Sequence, residues 1–195
     1  MGNFTDFFSS GGGNNLLEIV QYIPDGRTFE GVSTNYTTPS MTSTLTTTTS
    51  YQTITPSVIS YVPPSGTKYV RYEYNTKQSN INAYSGITHY KFYVDNVEVS
   101  AAWKNFSAQY YSSYGYAVFP IVLAYTLDLT ASSDDIANGK ISNWTSAKTL
   151  KWMCRGYSGT YDGVVLDQNY WKDGTGPAAA PYNFTYPLLT IYAYS

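Results

Sequence analysis

The chain has 195 residues, of which 12% are charged and 43% hydrophobic, with a formal net charge of −2, one Cys and one His. Charged residues fill about a quarter of an average globular chain, so hydroxyl and amide groups carry the polarity here; this excludes a charge-solvated disordered chain, a disulfide framework and a basic surface for nucleic acid. No apolar run approaches the roughly 20 residues of a membrane-spanning helix, and no basic region followed by an apolar stretch opens the chain, so neither membrane insertion nor a secretory leader is expected, and maturation in a cytoplasm is.

In chain order, residues 1–15 read as a flexible anchoring arm. Phe4, Phe7 and Phe8 precede the run Gly11 to Gly13, and three exposed phenyl rings on a tether are poorly solvated unless they dock on a partner or fold back on their own domain; docking is the expectation. Leu16 to Ile23 is a short strand or a helical turn, closed by Pro24-Asp-Gly-Arg27. From Ser33 to Ser65, Thr and Ser dominate and charge nearly vanishes. That is a linker composition, yet Leu45, Tyr51, Ile54, Val58, Ile59 and Tyr61 recur often enough to be buried, so residues 16–66 are expected as an extended, Thr/Ser-rich base segment able to pair along a neighbouring subunit. Pro63-Pro64-Ser-Gly66 opens the compact part.

Residues 67–195 carry the clearest strand patterns, in a chain whose 22 Tyr, 8 Phe and 4 Trp favour half-buried sheet surfaces. Thr67 to Tyr74 alternates, with Val70, Tyr72 and Tyr74 on one face. Ile87 to Val94 and Val97 to Ser100 flank Asp95-Asn96, a two-residue hairpin turn. Tyr116 to Leu129 is a long apolar strand with Pro120 at a bulge or edge position. A short helix is expected in 130–139, capped by Ser132 or Ser133 with Asp134 and Asp135 in its first turn. Thr149 to Cys154, Gly163 to Leu166 and Pro187 to Tyr194 complete the set. Seven or more strands in one domain must pack as two sheets or close as a barrel, so the expected fold is all-β: an antiparallel β-sandwich of jelly-roll type with an extended N-terminal arm.

Catalytic signatures are sparse. A serine relay would have to use His89, and no Gly-x-Ser-x-Gly elbow supplies its nucleophile; a strand histidine with a hydrogen-bonded ring is the expectation. Apolar neighbours make Cys154 an inert core residue. Of the four glutamates, only Glu73 and Glu98 fall in strands of the sandwich, and nothing in the spacing brings them to glycosidase separation. Asp134-Asp135, Tyr161-Asp-Gly163 and Asp167-Gln-Asn169 offer loop oxygens but read as surface turns, and without a Cys/His cluster neither metal nor cofactor is expected. Asn-x-Ser/Thr triplets at Asn3, Asn35, Asn105, Asn143 and Asn183 follow from composition alone. What remains is surface recognition: Tyr110, Tyr111, Tyr114 and Tyr116 form a Tyr/Ser/Gly stretch like those of binding loops, and Trp171 and Trp144 can stack on a sugar or a protein. Packing in a core or a subunit interface is the equal alternative for the tyrosines and the first expectation for the tryptophans.

Lys68-Tyr-Val-Arg-Tyr-Glu-Tyr74, His89 to Val99 and Pro187 to Tyr194 together resemble the β-sandwich domains of small virion proteins of tailed bacteriophages. Asn96 departs from the more usual Gly at the hairpin turn. The resemblance implies a non-enzymatic homotrimer on the virion surface, made in the host cytoplasm. Its arm, with Phe4, Phe7 and Phe8, would anchor on the major capsid protein or on a tail or portal component. A capsid decoration or cement protein is the first expectation, a fibre protein binding a host receptor or surface glycan the second, and a carbohydrate-active enzyme the third; neither nucleic acid nor a membrane is a partner.

Overall fold

The computed structural model describes residues 15–80, 86–107, 117–158, 164–168 and 184–195. Among them thirteen strands occur. The first six are short apart from the first: β1 Leu16–Tyr22, β2 Thr28–Glu30, β3 Asn35–Thr37, β4 Leu45–Thr46, β5 Gln52–Thr53 and β6 Ile59–Tyr61. The later ones are longer: β7 Tyr69–Asn80, β8 Ile87–Val94, β9 Val97–Ser107, β10 Ala117–Asp128, β11 Lys148–Gly156, β12 Val164–Leu166 and β13 Leu188–Tyr194. All their pairings are antiparallel, so the fold is all-β.

β7 is the axis of a six-stranded sheet. β13 and then β12 line one of its edges, β10 runs along the whole of the other, and β1 and β4 extend the sheet beyond β13 and β12. The second sheet has the order β9-β8-β11, with β5 and β6 end to end on the far edge of β11. A β2-β3 ribbon stands apart. The stretch 16–66 is extended, and its strands β1, β4, β5 and β6 pair within this chain because Ile54, Ile59 and Tyr61 drive into the common core.

The two sheets face each other across aromatic side chains. The alternation read in β7 holds, with Val70, Tyr72 and Tyr74 wholly buried, and they meet Tyr90, Phe92 and Val94 of β8 and Leu150, Trp152 and Cys154 of β11. Ring centroids lie 5.3 Å apart for Tyr72 and Phe92 and 5.1 Å for Phe92 and Trp152. Each such ring removes roughly 150–250 Å² from water, worth about 4–6 kcal/mol at about 25 cal/mol/Å² before conformational entropy opposes it. The abundance of Tyr has a second use here. Tyr36 donates to the Val62 carbonyl, Tyr61 to Glu18 Oε2, Tyr72 to the Ser57 carbonyl and Tyr90 to Gln78 Oε1, so buried phenols tie separate segments together and satisfy polar groups in the interior.

Turn and edge chemistry matches the residue types. The hairpin closes at Asp95, whose φ of 54° is one that Asp tolerates. Pro120 sits on the edge strand β10. The amide and carbonyl of Asp128 in that strand bond outward, to Gly139 and Ile141; by the two-residue period, the nitrogen of Pro120 also faces away from β7, to the side where no strand pairs with it among the described residues and a missing donor breaks no ladder bond. The expected helix in 130–139 is a single 3-10 turn, Ile136–Asn138, with Asp135 rather than Ser132 or Ser133 at its N-cap and Gly139 ending it at φ 74°. Serine cannot cap there because the chain turns helical two or three residues later than the composition implied.

Candidate functional site

The outward face of the five-stranded sheet gathers the exposed chemistry. Register sets its rows: Arg155 of β11 lies opposite His89 of β8, and His89 opposite Asn105 of β9. Tyr51, just before β5, continues that row on the far side of Arg155, since Gln52 and Thr53 pair with Cys154 and Met153. One step along, Lys91 pairs with Met153; beyond it Tyr93 pairs with Lys151 and with Glu98.

A bulge makes the arrangement possible. Glu98 and Asn105 are an odd number of residues apart, so a regular strand would put them on opposite faces. The β8-β9 register shifts between Tyr90 and Phe92, which inserts extra residues of β9 opposite Lys91 and brings both side chains, with Trp103, to one face. Trp103 is 51% exposed, donates from Nε1 to Glu98 Oε1, and stands edge-on to the His89 ring at 5.3 Å between centroids.

The charges are locked in place. Lys91 Nζ donates to Glu98 Oε2 at 2.9 Å, and the Tyr93 hydroxyl donates to the same oxygen at 3.1 Å. The ammonium also lies 4.6 Å from the centroid of Tyr51 and 4.9 Å from that of Trp103. Burial disfavours both charges, but their mutual hydrogen bond, with those from Trp103 and Tyr93, outweighs it, so the Glu98 carboxyl is held below and the Lys91 ammonium above its ordinary range. The His89 imidazole is pushed down, first by burial and then by Lys91 and Arg155, and so is neutral at pH 7; its Nδ1 shares a hydrogen bond with the Tyr51 hydroxyl. The Arg155 guanidinium packs over the Tyr51 ring at 5.1 Å and has no carboxylate partner among the described residues.

Tyr51, His89, Lys91, Trp103, Asn105 and Arg155, with Ile87 and the exposed Tyr157, line a groove of about 460 Å³, and Glu98 and Tyr93 hold Lys91 from beside it. Rings standing out of a rigid sheet beside fixed hydrogen-bonding groups suit the reversible binding of a small amphipathic ligand. A larger depression of about 650 Å³, between Pro63 to Thr67 and Asn143 to Ala147, has no titratable side chain among its described walls. Among the described residues no three of His, Cys, Asp or Glu come together to hold a metal ion, and no helix is long and apolar enough to cross a membrane.

The residues singled out from sequence fall as follows. Phe4, Phe7, Phe8, Tyr110, Tyr111, Tyr114, Tyr116 and Trp171 lie outside the described residues. Trp144, a candidate for stacking, is buried, and its indole donates to the Tyr61 carbonyl at 3.3 Å. Glu73 and Glu98 are not brought together: Glu73 is in the six-stranded sheet, paired with Arg71, and Glu98 is in the other. Cys154 is a core residue whose thiol burial pushes up to about 12. Asp167, expected in a surface turn, is 2% exposed; its Oδ1 accepts from the Thr76 hydroxyl at 2.7 Å. The residues that sequence reasoning missed are Tyr51, Lys91, Trp103 and Arg155, which four separate segments contribute. No family model matches this chain, and no curated protein matches it significantly.

Proposed function

We propose that this chain is a non-enzymatic recognition protein of a virion surface, holding a host receptor in the groove on its five-stranded sheet. The observation that carries the reading is the single row of Tyr51, Arg155, His89 and Asn105 beside a half-exposed Trp103, with Lys91 and Glu98 already paired. A preorganised aromatic surface with few rotatable parts binds at low entropic cost. The carboxylate of Glu98 is tied to three donors, an arrangement suited to positioning Trp103 rather than to moving protons. Jelly-roll connectivity, the Phe-bearing arm and a trimeric state belong to the same proposal, through the resemblance to phage virion proteins.

Binding to an array of host-surface glycans, compared between the parent chain and Trp103→Ala, tests it. The expected result is a defined set of ligands that the variant loses while its circular dichroism and unfolding temperature stay unchanged. A parent chain that binds nothing, or a variant with an identical profile, refutes the reading.

The decoration or cement role draws on a different face. Ile19, Val118, Val122 and Leu188 are exposed on the outer side of the six-stranded sheet, a surface suited to covering by another copy or by a capsid protein. Light scattering that finds a trimer favours this role, and a stable monomer counts against it.

A further inference from the structure

Resting on that recognition reading, we infer that the groove takes an acidic saccharide, a pyranose whose carboxylate is gripped by Arg155 while its ring stacks on Trp103. Three observations support the choice. First, the charges in the groove do not cancel. Lys91 and Glu98 neutralise each other at 2.9 Å, and Arg155 is left over as one unmatched positive charge on a chain of net charge −2. Second, that charge is presented rather than loose. The guanidinium lies over the Tyr51 ring, 5.1 Å from its centroid, and Tyr51 is itself held by its hydrogen bond to His89. A guanidinium so placed offers the forked donor geometry that a carboxylate accepts. The neutral His89 adds no second charge to the row.

Third, a simple anion would use only part of the groove. Trp103 is half exposed with its indole nitrogen already engaged by Glu98, so what it offers is its ring. The side-chain amide of Asn105 is exposed, with no partner among the described residues, two positions along the same strand. A pyranose presents an apolar C–H face to a ring and hydroxyls to an amide at its rim, which matches this pair. A neutral sugar would cover the ring but leave the guanidinium unpaired as water is displaced.

Titration by NMR with three probes separates these parts: sodium glucuronate, methyl glucoside, which lacks the carboxylate, and acetate, which lacks the ring. The expected result is that glucuronate binds about tenfold more tightly than either of the others, shifting the Trp103 indole resonance, and that its affinity falls with added salt. Arg155→Gln should abolish the preference for glucuronate over methyl glucoside, by weakening glucuronate and relieving the unpaired charge that opposes the neutral sugar; Trp103→Ala should weaken both sugars. Arg155 is exposed, so its replacement does not threaten folding. Equal binding of glucuronate and methyl glucoside overturns the acidic preference while the recognition reading stands. Acetate binding as tightly as glucuronate overturns the saccharide. If no probe binds and the glycan array is also blank, both readings fall.

Discussion

Replacing Asp167 by Asn should remove a pH-dependent weakness from the interior. Asp167 is 2% exposed and sits between β7 and the 184–186 segment, accepting from the Thr76 hydroxyl and the Lys77 amide. Burial raises its carboxyl from 3.8 to about 6; the Thr76 hydroxyl, the Lys77 amide and charge, and the Tyr74 hydroxyl pull the other way without cancelling it. The folded chain therefore keeps this proton up to about pH 6, whereas the unfolded chain releases it near 3.8. Between those values the folded state holds more protons, so stability falls as pH rises, and above about 6 the loss is complete. Two pH units at about 1.36 kcal/mol each amount to about 3 kcal/mol. Asn has the same shape, tolerates the positive φ of 60° at this position and keeps an acceptor for Thr76. Urea unfolding followed by tryptophan fluorescence at several pH values should show the stability gap between Asp167→Asn and the parent widening in favour of the variant by about 2 kcal/mol from pH 4 to pH 7, the rest of the effect falling below pH 4. Taking the difference removes the contributions of Glu98, Asp128 and Asp134, whose depressed carboxyls stabilise the fold as pH rises. A gap that stays constant over this range, or a variant weaker than the parent at pH 7, refutes the reasoning.

Other consequences can be checked directly. Ser57 fills the space between β5 and β6 along β11, accepting from the Trp152 amide at 2.9 Å and donating to the Ile54 carbonyl at 2.7 Å, so Ser57→Ala should cost about 1–3 kcal/mol in chemical unfolding. Pro120→Val restores an outward donor to the free edge of β10 beside the half-exposed Val118 and Val122; light scattering should show concentration-dependent association with the unfolding midpoint nearly unchanged, and a variant that stays dispersed argues against the edge assignment. Cys154, wholly buried with its thiol pushed up to about 12, should resist iodoacetamide at pH 8 in the folded chain and react on denaturation, as mass spectrometry would reveal.

What the sequence exposes and what it hides divide along physical lines. Val70, Tyr72 and Tyr74, Asp95-Asn96 with its flanking strands, and Leu189, Ile191 and Ala193 are legible because a two-residue period or a turn dipeptide is a local signal. The groove is not local. Tyr51, Arg155, His89 and Asn105 come from four segments aligned by register, and register is decided by long-range pairing. Trp103 is hidden further, because the β9 bulge changes which parity faces outward and no residue in Ser100 to Trp103 announces it. Asp167 is hidden for the same reason: a carboxylate in a polar stretch looks exposed until the strands around it are placed. The Tyr content pointed to sheets but not to its second role, since which phenol reaches which carbonyl depends on the facing sheet.

The pairing of β1 with β13 sets the mechanical character of the molecule. Leu16 lies opposite Tyr194, and Ser195 donates from its backbone to the Asn15 carbonyl at 2.9 Å, so both ends of the described body leave from one corner. A pull applied between residues 15 and 195 would load that corner first and part the ladder rung by rung, as a zip opens, instead of shearing all its rungs at once. The same closeness means that a short peptide joining the two ends would leave both sheets undisturbed, and the chain could then be cut open at a loop elsewhere.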